Sequence, residues 1–214
     1  MGRRALPRLS PTIDVSGTLF RPETLPDPWS AAEVFGRDAP VEVEVGSGKG
    51  LFLAAASQRR PEHDFFGVEI AGKYARFAAG RLAKQGQQNA RVLAGDALEF
   101  FRTVLPGGSL AAVHVYFPDP WWKKRHRRRR VMNEAFAADV TRTLAVGGRL
   151  HFWTDVREYF DATLDLLAST TPLDGPHEPP ETAAEHDLDY RTHRERRVRQ
   201  AGLPVYRSEF VKTA

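Results

Sequence analysis

The chain has 214 residues, 42% hydrophobic and 27% charged, a length that suits one α/β domain with a full core and a composition that excludes disordered and fibrous classes. Cysteine is absent, which removes disulfides, thiolate metal sites and a cysteine nucleophile together, and the histidines show no HExxH-type spacing, so no metal is expected. The net charge of +4 is local: residues 123–130, KKRHRRRR, hold seven of the 31 Lys and Arg, leaving 24 against 27 acidic residues elsewhere, as a polyanion-binding site would.

In chain order, residues 1–40 carry Pro7, Pro11, Pro22, Pro26 and Pro28 and read as an irregular N-terminal arm ahead of one domain over 41–214. No apolar run there or later has the length of a signal or membrane segment, so a cytoplasmic protein without a membrane partner is expected. Strands are predicted at 41–45, 64–70, 91–94, 110–117 and 149–154. Helices are predicted near 50–59, 72–85, 97–102, 131–145 and 156–169. This alternation is that of a Rossmann-like, doubly wound and mostly parallel sheet. Gly147 and Gly148 read as the stop after the fourth of these long helical patterns. Beyond Thr171 come a Pro-rich acidic stretch, the Arg-rich RTHRERRVR and the alternating VYRSEFV, expected to add an antiparallel C-terminal edge.

The strand at 41–45 runs into Gly46-Ser47-Gly48-Lys49-Gly50, where glycines allow a sharp turn and close approach to a ligand. A phosphate-binding GxxxxGK[ST] loop fails twice, since Val43 stands at the first glycine and Gly50 at the hydroxyl position; GxGxxG fails because the loop is GxGxG. Glu44, just ahead of the loop, repels a pyrophosphate and suits the ammonium of S-adenosylmethionine. Glu69, at the second strand end, can accept from both ribose hydroxyls, and Asp96 in AGDA from the adenine amino group. Glu44, Gly46, Gly48, Glu69 and Asp96 are therefore the expected cofactor-binding set, although each acid alone could be a helix cap or a solvated loop residue.

The fourth strand ends in Tyr116-Phe117-Pro118-Asp119-Pro120-Trp121-Trp122, followed at once by the basic run. Prolines on both sides of Asp119 restrict where its carboxylate points. The aromatic residues can stack on a base and the cations neutralise phosphates, where the bland alternative is a solvated charged loop.

EVGSGKG, GVEI, AGDA, FPDPWWKKRHRRRR and FWTDVREY, in this order, resemble the bacterial tRNA (guanine-N7)-methyltransferase family over roughly residues 41–160. The resemblance implies a class I methyltransferase fold, S-adenosylmethionine as cofactor, tRNA as partner, and methylation of a variable-loop guanine. It implies Asp119 as the catalytic residue, also within the cofactor pocket, and Lys123, Asp155, Thr192 and Glu195 as substrate-binding. Arg125, His126, Arg127, Arg128, Arg129 and Arg130 become the RNA-contacting segment. In the family's Thr-x-[aromatic]-Glu motif, Arg194 stands here at the aromatic position. Read from residues alone, Asp155 could instead N-cap the helix that follows, and Thr192 with Glu195 has capping-box spacing. The competing functions are an amino-group RNA or DNA methyltransferase, whose [DN]PP[aromatic] corner resembles Asp119-Pro120-Trp121, and a non-catalytic RNA-binding module on the same fold. The assembly is expected to be a monomer or homodimer.

Overall fold

The computed structural model describes residues 6, 10, 12–121, 124–179 and 190–214. Among them, strands β1 (Leu19–Phe20), β2 (Val41–Val45), β3 (Asp64–Glu69), β4 (Ala90–Ala94), β5 (Leu110–Tyr116), β6 (Leu144–Thr154), β7 (Asp174–His177) and β8 (Tyr206–Val211) form one sheet. Their order is β1-β4-β3-β2-β5-β6-β8-β7. The six strands from β1 to β6 run parallel, and β8 joins antiparallel to β6 with β7 outside it. The helices are α1 (Ala31–Phe35), α2 (Leu51–Arg59), α3 (Gly72–Lys84), α4 (Ala97–Thr103), α5 (Glu134–Thr143), α6 (Arg157–Thr170) and α7 (His193–Gln200).

Side-chain alternation sorts the core onto the two faces of this sheet. Val41, Val43 and Val45 point to one face and join Phe66, Val113, Phe152 and residues of α1, α4, α5 and α6. On the other face, Phe65 and Val92 pack with Phe52 and Leu53 of α2 and with the alanines of α3. Small residues bring α3 close: a Cβ on Gly50 would lie 2.8 Å from that of Ala78. The remaining two residues of β2, Glu42 and Glu44, are buried to 2% and 3% exposure in a central parallel strand that would ordinarily be apolar on both sides. Two buried carboxyl groups at the middle of the sheet require either partners or a ligand.

Several boundaries differ from the sequence reading. The expected 131–145 helix begins at Glu134 because Asn133 caps it, accepting the Phe136 N–H at 3.0 Å. The expected 149–154 strand begins at Leu144, which pairs with Leu110 before the register shifts and resumes at Arg149. Gly147 (φ 83°) and Gly148 make that irregularity; a Cβ on Gly148 would meet the Ala145 carbonyl oxygen at 2.8 Å. Within the stretch read as an irregular arm, β1 pairs with β4 at the sheet edge and Trp29 packs edge-on against Phe66 and Phe100, 5.2 and 5.3 Å between ring centroids. The Arg-rich tail forms α7. Among the described residues, no helix is long and apolar enough to cross a membrane, and no group of three or more His, Asp or Glu is arranged to hold a metal ion.

Candidate active site

The carboxyl ends of β2, β3, β4 and β5 meet at one edge of the sheet, where doubly wound folds bind nucleotides. Leaving β2, the loop passes through Gly46, Gly48 and Gly50, all at positive φ (76°, 55° and 66°), a conformation side chains disfavour. The Gly46 and Ser47 N–H groups donate to the Val68 carbonyl at 2.8 and 3.2 Å, folding the loop over the end of β3. Glu69 then braces two turns: Oε2 accepts the Gly48 N–H at 2.9 Å and Oε1 accepts the Ala71 N–H at 2.8 Å. Each oxygen keeps a lone pair for a further donor.

Glu44 lies behind this loop with Oε2 buried and without a hydrogen-bond partner among the described residues. Burial, and then the charge of Glu69, raise its carboxyl well above the ordinary value of 4.5. An orphaned acid costs free energy in the free protein and is satisfied by a donor or a cation, which is what the ammonium end of S-adenosylmethionine offers. The residues present therefore fit that cofactor. Asp96 is exposed and caps α4, its Oδ1 accepting the Leu98 N–H at 2.8 Å, so the cap anticipated as its alternative role is real.

Beside this crevice, the chain leaves β5 through Phe117 (φ 51°) and reaches Trp121 (φ 46°), two bulky residues in left-handed conformation around Pro118-Asp119-Pro120. Such strain persists only where surrounding contacts over-determine it. Here the Phe117 N–H donates to the Trp153 carbonyl at 2.7 Å, and Arg130 Nε donates to the Pro120 carbonyl at 2.9 Å. Asp119 stands exposed on top of the corner.

Past the corner, Lys124–Arg129 form a 3-10 turn. Trp122 and the expected substrate residue Lys123 lie outside the described residues, as do the side chains of Lys124, Arg127 and Arg128. Arg125 and Arg129 are exposed, with the Arg129 guanidinium 5.1 Å over the Trp121 ring; His126 meets that ring edge-on at 5.8 Å. Arg130, expected among the RNA-facing cations, is instead turned inward: it is 9% exposed and lies 4.6 Å over the Tyr159 ring.

The tail departs most from expectation. Thr192 caps α7, its Oγ1 accepting the Glu195 N–H at 3.0 Å, but Glu195 reaches back to the N–H of Arg191 at 2.6 Å, one residue beyond capping-box register. Asp155 does not cap α6; Val156 holds that position without a side-chain bond, while the Asp155 carboxylate is paired with the Arg194 guanidinium. Arg194 thus supplies a counter-charge to Asp155 where the family has a ring.

A buried polar chain under the crevice had no signal in the sequence beyond its unusual residues. Glu42 accepts from Arg60 Nη2 at 2.9 Å and faces His114 Nε2 at 2.7 Å. Burial would raise its carboxyl, but His114 and Arg60 outweigh that and hold it down at about 2. An ionised carboxylate only accepts, so His114 donates through Nε2 and accepts the Tyr116 hydroxyl proton at Nδ1, 2.9 Å away. Burial, first among the influences on His114, favours that neutral ring. The Tyr116 oxygen in turn accepts from Arg191 Nε at 3.2 Å. The alternation of Glu42 and Glu44 within VEVEV was the available hint.

Solved structures share this architecture. A 16S rRNA (adenine(1408)-N(1))-methyltransferase from Catenulisporales acidiphilia superposes with TM-score 0.58 at 20% identity, covering 86% of this chain and 90% of that one. A SAM-dependent O-methyltransferase from Thermotoga maritima gives 0.55 at 17%, covering 83% and 61%. These likenesses show the fold, and with the family match over residues 38–208 they define an S-adenosylmethionine-dependent methyltransferase. Residues 38–208 match the family model described as "Putative methyltransferase". Two curated relatives, both named tRNA (guanine-N(7)-)-methyltransferase, extend over almost the whole chain. That of Rhodopirellula baltica is 52% identical over 213 residues, 97% of this chain and 79% of its own length. That of Myxococcus xanthus is 37% identical over 215 residues, covering 97% and 98%. The chain belongs to the tRNA (guanine-N(7)-)-methyltransferase family.

Proposed function

We propose that the protein, in the cytoplasm, methylates N7 of a guanine in the variable loop of tRNA. The observation that carries this reading is the placement of the exposed Asp119 corner and the basic turn directly beside the glycine-loop crevice, in a chain 52% identical to a tRNA (guanine-N(7)-)-methyltransferase. S-adenosylmethionine supplies a methyl group on a sulfonium. Guanine N7 has an available lone pair, so the chain need not remove a proton from the attacking atom; its work is to hold the base in line and favour the positive charge that grows on it. Asp119 is suited to this, as a carboxylate on a rigid corner that can accept from N1 and the exocyclic amine of guanine. Gly46 and Gly48 admit the cofactor closely, Glu69 takes its ribose, Glu44 its ammonium and Asp96 its adenine edge. Lys123, Asp155, Thr192 and Glu195 border the substrate, and Arg125 to Arg129 with His126 meet the RNA backbone. Arg130 is left out of that set because its guanidinium holds the corner. Incubation with labelled S-adenosylmethionine and unmodified tRNA, followed by digestion and mass spectrometry of the nucleosides, tests the proposal. The expected product is 7-methylguanosine from the variable loop; a methylated exocyclic amine, or no transfer, overturns it.

A further inference from the structure

Arg191 is placed with unusual definition for a cation on the residue before a helix cap. Its Nε–H donates to Tyr116, the end of the buried chain from Glu42 through His114, and its guanidinium lies 4.2 Å over the buried Trp153 ring. Its backbone N–H is taken by Glu195. Yet Nη1 and Nη2 have no hydrogen-bond or ion-pair partner among the described residues, leaving a half-buried guanidinium with its fork of donors unused.

Sheet register places the groups around Arg191. Glu44 stands opposite His114 between β2 and β5, and Tyr116 stands opposite Trp153 between β5 and β6, all four on the same face of the sheet. Tyr116 follows His114 on that face, so the phenol that Arg191 Nε contacts is the next side chain beyond the one opposite Glu44. A buried carboxyl whose Oε2 has no partner among the described residues and a guanidinium whose two terminal nitrogens are unused therefore share the face of the sheet that carries Tyr116. A simple anion would be opposed by Glu44 and Glu69, and a simple cation would leave Arg191 unused. A zwitterion satisfies both.

We propose that Arg191 binds the carboxylate of the cofactor's methionine end, so that Glu44 and Arg191 together recognise an α-amino acid zwitterion. This rests on the reading of the crevice as the S-adenosylmethionine site. The buried chain is then a positioning device, in which each bond from Glu42 outward fixes the next until the guanidinium is held by its Nε, with both terminal nitrogens left for the ligand.

The test is calorimetric binding to the full chain, with S-adenosylmethionine, S-adenosylhomocysteine and decarboxylated S-adenosylmethionine as probes. The wild type is expected to bind the decarboxylated compound about 10- to 100-fold more weakly than S-adenosylmethionine, the scale of one charge-assisted contact. Arg191→Met keeps an apolar stem over Trp153 and is expected to lose the same factor for both carboxylate-bearing ligands while leaving the decarboxylated one unchanged. Equal affinity of the wild type for the two sulfonium compounds overturns the role of Arg191 alone. Absence of any S-adenosylmethionine binding overturns the cofactor reading beneath it. If Arg191→Met does not fold by circular dichroism, the comparison of ligands on the wild type, which needs no substitution, decides the question.

Discussion

Arg130 Nε donates to the carbonyl oxygen of Pro120 at 2.9 Å, so the last cation of the basic run holds the corner that presents Asp119. Neighbours in one charge cluster therefore do different work. Arg129→Ala is expected to reduce the slope of log K against log salt for tRNA binding by about 0.7 to 0.9, the loss of one phosphate contact, without changing the melting temperature. Arg130→Ala should leave that slope alone and cost about 1 to 3 kcal/mol of stability through the lost bond and the lost stacking on Tyr159. Salt-titrated binding and thermal melts of the two variants separate the roles; matching behaviour would put both side chains in the same environment.

Asp119→Asn keeps the shape of the corner while removing its charge and turning one acceptor into a donor. Single-turnover methylation with saturating cofactor should fall about 10²-fold, on the order of 3 kcal/mol, with cofactor affinity little changed. The pH profile should show no step assignable to Asp119 as a general base, because N7 carries no proton to remove. A chemical rate within threefold of the wild type would reduce the corner to a structural turn.

Glu69→Ala removes an acceptor that holds both the Gly48 and Ala71 N–H groups, so the crevice is expected to lose its shape as well as the proposed ribose contact. Affinity for S-adenosylmethionine should weaken by about 1.5 to 3 kcal/mol while tRNA binding persists. Calorimetry with both ligands is the check, and an unchanged cofactor affinity in a folded variant removes Glu69 from the site.

Glu44, if it receives the ammonium of the cofactor as proposed, is expected to make binding depend on pH. Its carboxyl is raised in the free fold by burial and then by Glu69, so its contribution to stability is full below the unfolded value near 4.5 and is lost as pH rises through the folded value. A cationic ligand reverses the preference and drives the proton off. Binding enthalpy measured between those two values should vary with the ionisation enthalpy of the buffer, and Glu44→Gln should abolish that variation while raising the melting temperature of the free protein at neutral pH. Buffer-independent enthalpies in the wild type would mean that Glu44 does not change charge on binding.

Repeating local patterns made the central fold legible. The strand at 41–45 coincides with β2, and the alternating VYRSEFV became the antiparallel β8. Residues 46–50 announced their turn because three glycines in five positions have few other uses. Where the sequence reading was incomplete, the deciding contacts are long-range. Asp155 looked like a cap because it follows a strand and precedes a helix, and only folding brings Arg194 to it from 39 residues away. Arg130 is chemically indistinguishable from Arg129 in a run of arginines; Tyr159 and Pro120 select it for the interior. The link between Glu42 and His114 spans 72 residues, and no local period encodes it.

The acidic rim of the crevice would also have a kinetic consequence. Glu44 and Glu69 face inward at adjoining strand ends and Asp96 stands exposed at the next, while the exposed cations Arg125 and Arg129 project from the turn beyond the corner. Such a field would sort arrivals by sign, with Glu69 and Asp96 drawing a positively charged cosubstrate toward the pocket and turning a phosphodiester chain away toward the neighbouring turn. Methyl transfer would then change the balance, because the sulfonium charge passes to the nucleobase and the spent cofactor leaves its electrostatic trap as a net-neutral molecule. Discharge of that attraction would link completion of the reaction to clearance of the pocket, with no moving lid required.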